Sequence, residues 1–481
     1  MSTLTTTVKR TALLSVALLT GLPGVRADGT TDDIQALRAQ IEQLDQKLKV
    51  LERKQEIKDD DAAAAAKTAP KVNITDKGLS IASGDGANTI HLGGLVQFDS
   101  RLFFNDGGGV LNNSFVLRRA RLIADGTFGK IYSFQIVPEF GGGSAGTASA
   151  VAIYDANLTV APTQAVQFKF GKFKAPIGYE VLQSDPATFF VERSLVSNLA
   201  PSRDLGAQVG GNLFNGTVAY SIGAFNGIAD ATSTSGNSDF DNDKDVIART
   251  FVQPLKNDKD SVLQGLAFGI SGSDGREKGT LAPTAGYKTD GQQTFFKYKG
   301  IVGDGRVWRV SPQADFRYGP FGVIGEYLVS AITVRNQAAL ANPPTSPQLT
   351  IKNKAWQVAA GYVLTGENSS YTGVVPTQPF SWENGTWGAW EVVARYEDLK
   401  LDNAIFTNGL ADTTALSTTA PATAKEASAF GVGVNWYLSK TVRASVDYFD
   451  TKFTDSAAPA ATAQILRQDE KALTTRLQFA F

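Results

Sequence analysis

The chain has 481 residues, no cysteine, one histidine and a formal net charge of −1. Without cysteine it can hold neither a disulfide framework nor a thiolate metal site, and the near-neutral balance gives no sign of a nucleic-acid binder. Its 47 glycines and 28 phenylalanines, with turn clusters at short intervals, suit an all-β chain too long for one soluble sandwich but right for one large barrel. Past the N-terminus no apolar run reaches the roughly 18 residues that a spanning helix needs.

Residues 1–27 read as an export signal. Lys9 and Arg10 form the charged region, Thr11 to Leu22 the apolar one, and Val25-Arg26-Ala27 a small-residue cleavage site; the apolar core is too short for a membrane anchor. Its removal takes away three basic residues and no acidic one, so the net charge falls from −1 to −4.

Residues 32–58 change character. Ile34, Leu37, Ile41, Leu44, Leu48 and Leu51 fall at alternating spacings of three and four, and most residues between them are charged or Gln. This is the a/d seam of a short coiled coil. About three heptads are marginal alone, so something else must gather the copies. Ile at a with Leu at d leans toward a dimer. The alternative is a helix packed on its own barrel. Residues 59–85 are expected to be a linker: an acidic triplet, five alanines, then Thr-Ala-Pro-Lys, a biased composition.

From residue 86 to 481 one unit repeats: an alternating strand, a turn, a second strand, a longer polar loop. Asn88–Phe103 places Gln97, Asp99 and Arg101 on one face. Leu117–Phe128, Tyr132–Phe140 and Val151–Val160 follow, then many others. In the last stretch Leu473, Thr475, Leu477, Phe479 and Phe481 alternate with Thr474, Arg476, Gln478 and Ala480. Period-2 alternation over about ten residues is what a membrane-spanning strand needs, with one face to lipid and one to water. Seventeen strand-like stretches appear, an odd number. Assigning Phe295–Gly300 to an outer loop, before a strand from Arg306 to Tyr318, leaves sixteen. The predicted fold is therefore a 16-stranded antiparallel transmembrane β-barrel preceded by the coiled-coil helix. The inner connection from Gly366 to Gly385 is too long for a tight turn.

Within these strands lie Leu117-Arg-Arg-Ala-Arg-Leu122, Gly171-Lys-Phe-Lys-Ala-Pro-Ile-Gly178, Glu192-Arg193, Pro201-Ser-Arg-Asp204 and Phe225-Asn-Gly227. Phe295-Phe296-Lys297-Tyr298, Leu364-Thr-Gly-Glu367 and Gly388-Ala-Trp-Glu391 through Arg395-Tyr396 follow. In order and spacing, from about residue 90 to the end, they resemble the phosphate-selective porin O and P family. The terminal Phe481 likewise resembles the assembly signal of Gram-negative outer-membrane barrels. The resemblance implies a sixteen-stranded passive channel whose wall residues select small anions such as phosphate, in a homotrimer set in outer-membrane lipid and lipopolysaccharide, with the N-terminal helix in the periplasm. It implies no enzyme and no cofactor.

A charge facing lipid costs several kcal/mol at mid-membrane, so charged strand residues are expected to face the lumen. Ala120, Leu122 and Ala124 form the lipid face of their strand, which turns Arg119 and Arg121 inward. The same parity turns Arg249, Arg309, Arg317, Arg395 and Arg443 inward, with Glu326, Glu397 and Arg476. The third long loop, about Ala175 to Arg203, is the expected constriction and carries Arg193 and Arg203; Lys169, Lys172 and Lys174 lie on the strand entering it. Lys169 differs in parity from Lys172 and Lys174, so a bulge or strand end must intervene before all three can face the pore. These twelve basic residues are the candidate pore-lining anion site, guanidinium being a bidentate, permanently charged donor to oxyanions. Glu139, Asp155 and Asp447 share the lumen, so cross-strand acid–base pairing is the plainer role for many of them. Phe189-Phe190 either form an apolar slide or pin the loop to the wall. The family's members resemble one another in a dense arginine ladder; here Arg119 and Arg121 have no longer Arg-x-Arg run, which leaves general small-solute passage open beside phosphate. A barrel that tethers the envelope through its coiled coil is the third reading.

Catalysis and metal binding find no support. The single His91 starts a strand, far from any serine triad pattern. Asp239, Asp241, Asp243 and Asp245 copy alternate ligands of a calcium loop, but Lys244 replaces the needed Gly and Thr250 the bidentate Glu.

Overall fold

The computed structural model describes residues 30–104, 111–141, 151–233, 241–279, 286–336, 347–412, 415–417, 420–421, 423–455 and 467–481. The expected export segment 1–27 and Asp239 lie outside them. The chain divides into two units, Met1–Ala69 and Pro70–Phe481.

The first unit holds one helix, α1 (Thr30–Thr68), with Asp32 and Asp33 in its first turn, where the helix dipole favours negative charge. Lys49–Asp45 and Arg53–Glu56 pair along its surface at 2.9 Å. Ile34, Leu37, Ile41, Leu44, Leu48 and Leu51 are all more than half exposed on the single chain. The helix continues past residue 58 through Ala62–Ala66 to Thr68, because alanine is the best helix former. That part of the expected linker is helical.

The rest of the expected linker is a hairpin, Lys71–Thr75 with Gly78–Ala82. Gly78 has φ 95 and its Cα faces Leu92 O, which a side chain would strike at 2.3 Å; only glycine fits there.

An eighteen-stranded sheet contains this hairpin and sixteen wall strands. The wall strands are β1 (Thr89–Phe103), β2 (Ser114–Phe128), β3 (Tyr132–Glu139), β4 (Ala152–Val160), β5 (Gln167–Lys174), β6 (Arg203–Leu213), β7 (Val218–Phe225) and β8 (Asp245–Val252). They continue as β9 (Ala267–Gly279), β10 (Ile301–Tyr318), β11 (Phe321–Asn336), β12 (Leu349–Val363), β13 (Ala389–Lys400), β14 (Ala424–Tyr437), β15 (Val442–Asp455) and β16 (Glu470–Ala480). Each pairs antiparallel with the next, and β16 closes on β1 from Ala480↔Leu95 to Ala472↔Phe103. Closure leaves no open edge along the wall. Below Phe481, the hairpin continues the sheet beside β1, pairing Leu79 with Leu92 and Ala82 with Thr89.

Phe295 and Phe296 belong to an outer connection, as the strand count requires, where Tyr287–Lys288 pairs with Thr294–Phe296. The next wall strand starts at Ile301, earlier than the expected Arg306. The long inner connection 364–388 has two tasks. Ser369 accepts from Arg317 Nη1 at 2.9 Å, and Tyr371 O accepts from Gln183 Nε2 at 2.8 Å. Its later half lays Phe380 against Trp436 of β14, which stacks on Trp390 of β13, and packs Trp382 and Trp387 around Phe380.

Candidate functional site

The segment between Lys174 and Arg203 turns into the lumen instead of outward. Gly178, at φ 78, makes the bend, and two 3-10 turns, Asp185–Ala187 and Leu195–Leu199, compact the rest. A loop inside a barrel leaves backbone donors that need partners. Acids of the opposite wall supply them: Tyr179 N donates to Glu326 Oε1 at 2.7 Å, Val191 N to Asp447 Oδ2 at 2.6 Å and Leu195 N to Glu397 Oε2 at 2.6 Å. Phe189 and Phe190 join Ile324, Ala359, Val393 and Phe449 in one buried cluster. They pin the loop. Leu195, Val196 and Leu199 pack with Leu328, Ile332, Ile351 and Leu399. The lumen beside β11 to β15 is thereby filled.

This filling decides the fate of several candidate arginines. Arg309, Arg395 and Arg443 face inward as parity demands, yet each is at most 3% exposed. Arg309 donates to Asp230 Oδ1 at 2.7 Å, Arg395 to Glu397 at 2.9 Å and to Asp290, and Arg443 to Thr188 O at 2.8 Å. Arg395 and Arg443 brace the constriction loop against the wall, and Arg309 braces the segment around Ile228 and Asp230. Open water was expected there, because strand parity selects a face and says nothing of what fills the lumen beyond it. Arg317 pairs with Asp315 at 3.1 Å and borders a separate small pocket near Ser369.

The other side of the lumen stays open, as an inner cavity of about 870 Å³ and an outer one of about 390 Å³. Arg121 borders both. Lys169, Lys174, Arg203 and Arg249 border the inner cavity, and Arg119 and Arg193 the outer. Lys172 borders neither; its Nζ donates to Ile153 O at 2.7 Å. No bulge intervenes among these lysines: β5 pairs in unbroken register with β4 and β6 through Gly171. Lys172 therefore has the opposite parity to Lys169, and Lys174 reaches the cavity as the last residue of the strand.

Asp185 and Glu192 are the loop's two anchors on this side. Asp185 lies 2.6 Å from Arg193, 3.3 Å from Arg119 and in contact with Arg121, which also holds Glu139 at 2.5 Å. Glu192 receives Arg118 at 2.6 and 3.0 Å, Arg476 at 3.1 Å and Arg101 at 3.3 Å. Burial alone would raise the Asp185 carboxyl, but the charges of Arg119, Arg193 and Arg121 outweigh it and hold it well below the usual range. Burial is likewise outweighed at Glu192, first by Arg118.

Two residues of this cluster were invisible to parity. The β1–β2 register shifts between Gln97↔Arg119 and Phe98↔Leu117, so Arg118 is the extra residue of a bulge and turns inward beside Arg119. The β3–β4 register shifts between Val137↔Asp155 and Pro138↔Ile153, which turns Tyr154 in beside Asp155. Arg203 Cζ lies 3.4 Å and Arg121 Cζ 3.7 Å from the Tyr154 ring centre. Arg203 also reaches Asp155 at 3.1 Å. Pro138, which lacks an N–H, is the one local signal of the second bulge.

Residues 90–481 match the family described as phosphate-selective porin O and P. Porin O of Pseudomonas aeruginosa is 27% identical over 445 residues, covering 85% of this chain and 92% of that protein. Among solved structures, the anion-selective porin from Comamonas acidovorans is 13% identical with a TM-score of 0.49, covering 82% of this chain and 100% of that one. The channel DcaP of Acinetobacter baumannii is 13% identical with a TM-score of 0.48, covering 82% and 98%. With most of its length matched, the chain belongs to the phosphate-selective porin O and P family and is an outer-membrane porin.

Proposed function

We propose that this porin passes small anions, phosphate among them, in preference to cations. The observation that carries the reading is the charge around the two cavities. Seven lysines and arginines against three aspartates and the chain-terminal Phe481 border the inner one, and five against two glutamates border the outer. Low-dielectric walls strengthen such a surplus, and guanidinium forks suit oxyanions. The channel carries out no covalent chemistry in this reading.

The test is a reversal potential in a potassium chloride gradient across a planar bilayer. An anion-favouring potential is expected at low salt, fading toward 1 M as the Debye length falls to about 3 Å. Arg119→Ala with Arg121→Ala should move it toward cations. Lys at both positions should keep the sign but weaken any phosphate block of chloride current, since the bidentate donor is lost. A wild-type pore that prefers cations would overturn the reading, and a general small-solute channel would stand in its place.

The exposed Ile and Leu seam of α1 supports association between copies in the periplasm; the barrel, not the seam, would set the number at three, with residues 1–27 removed on export and the barrel's outer face against lipid and lipopolysaccharide. A barrel serving only to tether the envelope would be electrically silent in the same bilayer.

A further inference from the structure

A porin lumen is ordinarily polar, and this one departs from that on the inner side of Arg121. Leu95, Ile123 and Val137 stand on the adjacent strands β1, β2 and β3 and border the inner cavity. The pairs Arg121↔Glu139 and Ala124↔Ile136 set Ile123 opposite Val137, while Leu95 lies diagonal to Ile123, opposite Arg121, and Asp155 bounds the apolar pair beyond Val137. Pro176, Leu182 and Pro186 of the constriction loop border the same cavity. Its basic side is made by Lys169, Lys174, Arg203 and Arg249. Phe173 lies beside that basic side, with Lys169 Nζ 4.9 Å from its ring centre.

Such a chamber offers cationic groups on one side and hydrocarbon side chains on the other. Inorganic phosphate, hydrated all round, gains nothing from the apolar half. A carboxylate carrying a short hydrocarbon body gains from both halves, because its head meets the cations while its tail leaves water. We propose that the inner cavity is a binding station for small amphipathic organic anions, short-chain carboxylates in particular. This rests on the reading of the channel as an anion path and narrows its substrate class.

The full-length protein in a planar bilayer, in dilute potassium chloride at neutral pH, is challenged with acetate, butanoate and hexanoate at equal ionic strength, with a protein-free bilayer as baseline. The half-blocking concentration for chloride current should fall about two- to fourfold with each added methylene, the upper factor corresponding to about 0.8 kcal/mol per buried CH₂. Val137→Asn should flatten that series and leave acetate unchanged. Leu182→Asn, in the loop and outside the barrel wall, should do the same if the first variant does not assemble. Lys169→Gln should weaken all three acids by one common factor. A flat wild-type series, no block by hexanoate, or a slope that survives both Asn variants would overturn the assignment. A flat series with an anion-favouring reversal potential removes only this inference. A cation-favouring potential removes the underlying reading as well.

Discussion

Arg203 rests its guanidinium 3.4 Å from the centre of the Tyr154 ring, and the same ring holds Arg121 at 3.7 Å. One aromatic side chain, turned inward by a bulge, thus orders cations from two strands that do not touch. Each such contact contributes about 0.5–2 kcal/mol where water is scarce. Tyr154→Phe should keep the single-channel conductance, since the ring remains. Tyr154→Leu should release both guanidinium groups and broaden the open-channel current noise. Equal noise in the two variants would show that Asp155, Glu139 and Asp185 hold the arginines without help.

Asp185 bears on three arginines at once. Asp185→Asn should leave their charge in place and remove the one that offsets it, so the reversal potential should move further toward anions. Breaking a buried pair from one side costs about 3–5 kcal/mol, so the loop should also loosen. A potential that moves toward cations would contradict the assignment of these arginines to the ion path.

The pH dependence has a defined sign. Asp185 and Glu192 have folded values depressed well below the ordinary carboxylate range, first against burial and then through their arginines. A depressed acid stabilises the folded loop above its unfolded value, near pH 4, and the contribution disappears only as pH falls through the lower folded value. The share of the docking that Asp185 and Glu192 supply should therefore hold from pH 7 down to about pH 4, read as an unchanged conductance difference between wild type and Asp185→Asn over that range. A loop that opened between pH 6 and 5 would show that other acids govern its docking.

Phe190 is fully buried, 5.4 Å from Phe449 between ring centres and 4.5 Å from the Arg395 guanidinium. Phe190→Ala should cost about 3–5 kcal/mol and detach the loop from the wall, raising conductance and noise together. Urea unfolding measures the first effect and bilayer recording the second. Unchanged conductance would mean that the backbone bonds to Glu326, Asp447 and Glu397 suffice.

Deleting residues 30–68 should leave a folded barrel, because no wall strand loses a residue. Oligomer melting, read as heat-modified gel mobility, should fall if the a/d seams pair between copies. An unchanged melting temperature would point to a different partner for the helix.

Much of the fold was legible because alternation is a direct imprint of a two-faced wall. Gln97, Asp99 and Arg101 inside, and the closing strand to Phe481, follow from period two alone. Arg118 and Tyr154 were not legible, because one inserted residue reverses parity and little in the sequence marks it. Arg309, Arg395 and Arg443 were placed on the correct face but in the wrong surroundings. Their contacts lie up to 255 residues away, as for Arg443 and Thr188, and no local pattern encodes such a meeting. The helical extension through Ala62–Ala66 was open to prediction from propensity, but compositional bias suggested a linker instead.

The seam between β1 and β16 sets the order in which this wall can be built. Gln97 Nε2 meets Gln478 Oε1 at 2.6 Å across 381 residues. Bringing ends that far apart together costs about 5 kcal/mol of chain entropy beyond a constant, growing only with the logarithm of length. Hairpins such as β14–β15 face a far smaller search and can form first. The ring then shuts last, by a zipper of backbone pairs from Ala472 to Ala480, and until that moment the Leu95–Phe103 edge of β1 is open to a neighbouring chain, while its Thr89–Leu92 part can pair with the hairpin.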